Sequence, residues 1–363
     1  MTYKSNPSFV LRGVDHTAFE ERSVPKVGPH DVLVEVKKTG LCGSDVHYLV
    51  HGKIGDFVVK SPMVLGHESA GIVAEVGTKV ALEPGRSCRK CEACKSGRYQ
   101  LCPDMVFAAT PPHDGTLARY YSLPADLAYP LPDNMSLEEG ALMEPLSVGI
   151  HSVANLGGFR SNQSIAVFGA GPVGLLCMAV AKALSAARVI AIDIVPERLA
   201  FARSYAATDV FLPPRIQEDE NKIDFSKRVA RQMCAELGIE ERGKQAVDLV
   251  IDASGAEVCI QMGIFIVKIG GTFIQVGMGA SEITVPITLL IAKELKLQGS
   301  FRYGPGDYTL AISLASQGKI DVKALITHRF PFEDALKAFN TNRTGVGPDG
   351  KGVIKAVVDG PRD

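Results

Sequence analysis

Residues 164–174, SIAVFGAGPVG, restrict the fold more than any other stretch of this 363-residue chain. An apolar run ends in G-x-G-x-x-G and leads into PVGLLCMAVAKAL, whose apolar residues have helical spacing. Strand, glycine turn and helix in that order open a βαβ unit. Gly169 allows the tight turn, and Gly171 lets backbone approach a pyrophosphate with no Cβ in the way. Gly174 permits close helix–strand packing, and the helix N-terminus faces the anion. The next buried strand, RVIAID, closes on Asp193. A carboxylate there accepts hydrogen bonds from ribose 2′- and 3′-hydroxyls and repels a 2′-phosphate, so NAD is expected over NADP. The competing reading is a glycine turn that binds nothing, with Asp193 capping a strand end. ERLAFARSYA, VDLVIDASG and GTFIQVGMG continue the alternation of helix and strand. Parallel strands joined by crossover helices give such continuous apolar runs. The expectation is an α/β chain whose doubly wound parallel sheet occupies residues 153–290.

The flanking regions differ. Residues 1–152 are rich in β-branched residues and turn signals, and DVLVEVKKTG, SAGIVAEVG and TLARYYSLP read as short strands. Residues 291–363 are mixed, and the polar stretch 213–245 reads as a solvated loop and helix. The length suits two domains. Hydrophobic residues make up 46% and charged residues 22%, enough for a real core. A net charge of −1 without a basic run argues against nucleic acid or an anionic membrane as main partner. The N-terminus lacks an apolar signal region, and no run is long enough to cross a bilayer. A soluble protein of the reducing cytoplasm is expected, where clustered cysteines more often bind metal than pair.

Four of the eight cysteines lie in CRKCEACKSGRYQLC. Cys88, Cys91, Cys94 and Cys102 form C-x2-C-x2-C-x7-C, which matches tetrahedral zinc with no open position. Such a site is structural, holding a lobe over 84–103. Free thiols, a disulfide pair or an iron–sulfur cluster are the alternatives; the polar, glycine-rich neighbours LEPGRS and KSGRYQ suit zinc better. A second constellation lies upstream. GLCGSDVHY carries Cys42, Ser44, His47 and Tyr48, and LGHESAG carries His67 and Glu68. Cysteine, histidine and carboxylate supply three mixed ligands, and catalytic zinc needs three plus an open position. By spacing alone a cysteine and a histidine twenty-five residues apart are more often unrelated, Ser44 could cap a helix and His47 could be a surface histidine.

The order GLCGSDVHY, VLGHESAGIV, ALEPG with four cysteines, EPLSV and VFGAGPVGLL resembles the zinc-dependent medium-chain dehydrogenases over nearly the whole chain. Within them the polyol branch, sorbitol, xylitol and L-arabinitol dehydrogenases, is most similar. HYLVHGKIGDF, FAATPPHDGTLARYY, LMEPLSVGIHS and GSFRYGPGDY resemble the fungal NAD-dependent xylitol dehydrogenases most. The resemblance implies a GroES-like β-barrel catalytic domain over 1–152, an inserted Rossmann NAD-binding domain over 153–290, and a return to the first domain over 291–363. It implies two zinc ions per chain. Cys42, His67 and Glu68 match ligands of the catalytic zinc, and Glu144 matches an acid that reaches that zinc directly or through water. Ser44 and His47 match a proton relay. Tyr48, Phe107, Arg302 and Tyr303 match residues lining the polyol pocket; outside the resemblance, Arg302 could simply pair with Asp307. Val173, Asp193, Arg198, Val276, Gly277, Met278, Ser300, Phe301 and Arg302 match NAD contacts.

The implied reaction oxidises a secondary alcohol of a polyol to a ketone, with hydride passing to NAD; xylitol to D-xylulose is the leading expectation, and L-arabinitol or sorbitol the runner-up. A homo-oligomer, dimer or tetramer, is implied, with GGTFIQVGMGASEITVPITLLIA the candidate contact. One departure stands out. AEVGTKVALEPG is about nine residues short between Gly77 and Ala81 of the turn and Gly-Asp-x-Val that the family usually has there, so Val80 stands for either the strand before the gap or the one after it. A protein that binds zinc and NAD without turnover is therefore the rival reading from another class.

Overall fold

DVLVEVKKTG buries Leu33, Val34 and Val36 and becomes the strand on which one half of the molecule is assembled. In the computed structural model, which describes residues 5–362, this strand, Asp31–Gly40, pairs antiparallel with three others: Glu68–Val73, Tyr120–Pro124 and Lys355–Asp359. The seven-stranded sheet continues outward through Lys79–Leu82 to Ala128–Pro130 on one side and to Ile326–Phe330 on the other. A three-stranded sheet of Asn6–Gly13, His16–Arg22 and Met63–Val64 belongs to the same unit. Phe9, Leu11, Leu41, Leu49, Leu65, Phe339 and Val358 form one core cluster, and Val34, Val36, Val80, Leu82 and Leu123 another. This unit comprises the residues up to Pro145 and those from Gly304 on.

The second unit, Leu146–Tyr303, contains a six-stranded parallel sheet. Its order is Asp209–Phe211, Arg188–Ile192, Ser164–Phe168, Val247–Asp252, Val267–Gln275, Lys296–Gly299. Every residue of Ser164–Phe168 is buried, as a central parallel strand covered on both faces requires. Successive strands run outward to one side of Ser164–Phe168 and then to the other, so a topological switch point lies at its carboxyl end, where ligands of such sheets bind. Phe168, Ile190, Phe225, Val229, Met233, Ile264 and Phe273 fill the core. The polar stretch 213–245 contains the helix Lys222–Leu237, started by the Asn221 side chain and stopped at left-handed Gly238. Among the described residues no helix is long and apolar enough to cross a membrane.

The unit boundaries correct the expected 152/153 and 290/291. Lys296–Gly299, expected in the returning segment, hydrogen-bonds in parallel to Val267–Gln275 as the sixth strand. The chain returns to the first unit only at Gly304. At the other end the helix Met143–Ile150 runs through the boundary, so no loop at residue 152 marks it.

The short AEVGTKVALEPG segment folds as a tight hairpin. Val73 N–H donates to Thr78 O at 2.9 Å, Gly77 N–H donates to Val73 O at 2.8 Å, and Gly77 takes the positive φ that the turn demands. Val80, 1% exposed, lies in the strand after the turn, opposite Gly71 on one side and Pro130 on the other. The sheet therefore passes through this region without a break. Glu75, Val76, Gly77 and Thr78 form the exposed tip of the turn, and Val76 is its one large apolar side chain, 72% exposed. Leu82→Ala should destabilise the protein by roughly 2–5 kcal/mol as a cavity in a closed core, whereas Val76→Ser should change stability by less than about 0.5 kcal/mol. Urea unfolding of the two variants checks this, and equal sensitivity at both positions would contradict the hairpin.

Candidate functional site

Strand Asp31–Gly40 leads through Leu41 to Cys42, which starts the helix Gly43–His51. Its neighbour Glu68–Val73 begins with Glu68 directly opposite Gly40. The register thus brings together three residues that sequence spacing alone left unrelated. A sulfur of Cys42, a ring nitrogen of His67 and a carboxylate oxygen of Glu68 lie within 4.8 Å of one another. His67 Nδ1 faces the Asp45 carboxylate at 3.3 Å, and Asp45 also accepts from Gly66 N–H at 3.1 Å. This fixes the ring and leaves Nε2 as the nitrogen open to a metal. Burial alone would lower the His67 pKa, but the Asp45 carboxylate and the Cys42 thiol raise it well above its ordinary value. The same negative field attracts any cation. Soft sulfur from half-buried Cys42 beside a buried imidazole and carboxylate fits zinc by donor chemistry.

Ser44 and His47 lie on the same helix, three residues apart and so on one face. His47 is exposed, its ring centroid is 4.4 Å from that of His51, and burial followed by the His51 charge lowers its pKa. Tyr48 points into the core, and the buried Phe107 ring lies 5.9 Å from the His67 ring. Glu144 is buried at the start of Met143–Ile150, and its charge acts on Lys355, as do those of Glu68 and Cys42. Arg302 and Tyr303 close the second unit; the Arg302 guanidinium sits over the Phe301 ring at 4.6 Å, and Arg302 has a φ of 57°.

The four lobe cysteines also converge, with all sulfurs within 4.8 Å of one another. Cys91 Sγ to Cys94 Sγ is 3.4 Å and Cys88 Sγ to Cys94 Sγ is 4.0 Å. A zinc tetrahedron with 2.3 Å bonds needs sulfurs about 3.8 Å apart. The Ser87 hydroxyl, ahead of the neighbouring thiols, draws Cys94 down to about 7, and the backbone N–H groups of Lys90 and Cys91 lower Cys88. Both effects favour thiolate, the ligand form, at these two positions; at Cys91 the Cys94 N–H pulls the other way but burial and the neighbouring thiols push the thiol up to about 12, and burial raises Cys102. Tyr99 moors the lobe by donating to buried Glu83 at 2.6 Å.

In the second unit Gly169 has a φ of 93°. A Cβ on Gly174 would overlap Gly169 O, while one on Gly171 would meet nothing within 4 Å. The middle glycine therefore opens onto free space, as a cradle for an anion requires. Asp193 closes Arg188–Ile192; its Oδ2 accepts from Ala170 N–H at 2.7 Å and its Oδ1 from Val195 N–H at 2.9 Å. Each oxygen keeps a further lone pair, so capping the glycine turn and binding hydroxyls are compatible. Val173 and Arg198 are half-buried in the helices Pro172–Ala183 and Pro196–Tyr205. Val276 and Gly277 donate to Asp252 O, Met278 is exposed, and Ser300 Oγ lies 3.0 Å from Ser152 Oγ.

Two participants escaped the sequence reading. Asp45 stood in GSDVHY, three residues after Cys42, where an acid in a first helical turn was a usable signal. Lys355 carried none: it lies 287 positions from Glu68 and donates to both oxygens of that carboxylate at 2.7 Å.

The family model for "Zinc-binding dehydrogenase" matches residues 172–317, and that for "Alcohol dehydrogenase GroES-like domain" matches residues 28–133. D-xylulose reductase A of Aspergillus niger is 53% identical over 95% of this chain and 96% of its own length. Among solved structures, L-idonate 5-dehydrogenase from Escherichia coli superposes with a TM-score of 0.84 at 29% identity, over 98% of each chain. Galactitol-1-phosphate dehydrogenase from Escherichia coli superposes with a TM-score of 0.80 at 26% identity, over 97% of this chain and 99% of that one.

Gly171→Val should leave the melting temperature unchanged and weaken NADH binding roughly tenfold or more, because the side chain occupies only the cradle. Gly174→Val should lower the melting temperature instead. Fluorescence titration with NADH beside a thermal melt separates the two, and unchanged NADH affinity in Gly171→Val would remove the nucleotide reading of the turn. Cys88→Ser should lower the melting temperature by roughly 5–10 °C and cost one zinc per chain. Unchanged melting with lost turnover would show that the lobe is not structural.

Proposed function

This chain belongs to the zinc-binding dehydrogenases, and from that premise we propose that it oxidises xylitol to D-xylulose with NAD as hydride acceptor. The convergence of Cys42, His67 and Glu68 donors on one point carries the reading; relatives named D-xylulose reductase at 51–53% identity over most of the chain support the substrate. When bound, zinc supplies Lewis acidity that lowers the pKa of a substrate alcohol, and NAD takes up the hydride.

This chain's own residues do the rest. Cys42, His67 and Glu68 hold the metal, with Asp45 fixing the His67 ring and Glu144 adding negative charge nearby. Ser44 takes the alcohol proton and His47 passes it on; an exposed imidazole with a lowered pKa gives up a proton readily near neutral pH. The family resemblance assigns polyol contacts to Tyr48, Phe107 and Glu144 in the first unit and to Arg302 and Tyr303 in the second, and polar groups of this kind favour a substrate rich in hydroxyls. In the nucleotide unit Gly169, Gly171, Val173, Gly174, Asp193, Arg198, Val276, Gly277, Met278, Ser300, Phe301 and Arg302 hold NAD. Cys88, Cys91, Cys94 and Cys102 hold a second, structural zinc.

A cytoplasmic setting and a homo-oligomer belong to the same proposal. Zinc ligation by thiolates calls for reduced cysteines. The sheet edge supports self-association: all four residues of Lys296–Gly299 are exposed, Leu297 among them, and Ile287 and Ile291 of the preceding helix Ile287–Ala292 also expose apolar surface.

The test is NADH absorbance with xylitol, L-arabinitol and sorbitol, with and without a chelator. Xylitol should be oxidised fastest and the chelator should abolish the signal. No NADH from any polyol would favour the rival of a binding protein without turnover. Comparable rates with NADP would remove the role given to Asp193.

A further inference from the structure

Lys355 is 3% exposed and Glu68 1% exposed. Side chains of these types are almost never so buried unless paired. An ammonium has three donors, and Lys355 uses all three within this unit: two to the Glu68 oxygens at 2.7 Å and one to Leu41 O at 3.0 Å. Gly40 makes the meeting possible. It faces Glu68 in one ladder and Val357 in the other, so Glu68 and Lys355 start strands on either side of it. A Cβ at residue 40 would overlap Glu68 Oε2. The φ of Gly40 is not among the positive ones, so this glycine serves space and not conformation.

A buried ion pair contributes little net stability, because desolvation nearly offsets the attraction; a well-packed apolar pair would serve the fold as well. Lys355 has a different effect at a metal centre. A carboxylate offers four lone-pair positions. With two of them committed to an ammonium, Glu68 can still reach a metal, but as a weaker donor beside a fixed positive charge.

We propose that Lys355 is a positioning residue that keeps Glu68 a weak, displaceable ligand of the zinc held by Cys42 and His67. This rests on the zinc reading above. The clamp keeps the metal electrophilic and its remaining position open to the substrate oxygen.

The test is the rate at which the purified holoprotein releases zinc to the chromogenic chelator 4-(2-pyridylazo)resorcinol. The wild type should release two zincs at separable rates, and the one lost in a Cys42→Ser variant identifies the site in question. Lys355→Met should slow release of that zinc roughly tenfold or more, since a positive charge beside it is removed and Glu68 is freed to bind fully. The cobalt-substituted variant should show altered visible bands, and Lys355→Arg should behave as the wild type. In a Glu68→Gln background the Lys355→Met change should lose most of its effect. Release at the wild-type rate or faster in Lys355→Met, with only a lowered melting temperature, would overturn the proposal. If Lys355→Met alone does not fold, the neutral Glu68→Gln/Lys355→Met pair should, and failure of that pair would show a purely structural role. A wild type with no zinc beyond that of the four cysteines would overturn the zinc reading itself, a result distinct from the others.

Discussion

The hydrogen-bonded register of strand Asp31–Gly40 is the constraint on which the first unit depends. Three strands pair with it, and each is fixed to the residue. Because strand side chains alternate between faces, a slip of one residue would turn Glu68 to the opposite face of the sheet. It would also separate Glu68 from Cys42, which follows the same strand, and from Lys355 across it. The meeting of Cys42, His67 and Glu68 is a by-product of backbone pairing, with Gly40 providing the room that a buried carboxylate and ammonium need.

The second unit rests on more local physics. Gly169, Gly171 and Gly174 lie within one turn, and each tolerates or excludes a Cβ for a reason visible in its own surroundings. Asp193 reaches back from the adjacent strand to the turn backbone. Such a site survives wherever strand, turn and helix are kept, because few of its contacts depend on distant register.

The sequence made much of this legible, for reasons that differ by residue. The glycine turn and the four lobe cysteines read correctly as clusters because their partners are close in the chain. The hairpin after Val73 was harder: the departure from the family pattern was plain, but only the ladder shows that Val80 joins the strand after the turn and keeps the sheet continuous. The domain limits were misjudged where Lys296–Gly299, four exposed residues without a buried strand's apolar run, nonetheless supply the sixth parallel strand. Edge strands carry weak sequence signals because one side of their backbone has no partner within the sheet.

By itself the sequence determined the chemistry available to this protein: thiolates at tetrahedral spacing, a glycine turn followed by an acid, and a cysteine, a histidine and a carboxylate at separated positions. Local spacing suffices for such features because short segments have few ways to fold. The tertiary structure alone decided which separated groups meet. Asp45 behind His67, and Lys355 astride Glu68 from 287 positions away, follow from strand pairings that close long loops. No local propensity encodes such pairings, because the energy that selects them is realised only when the whole sheet is assembled.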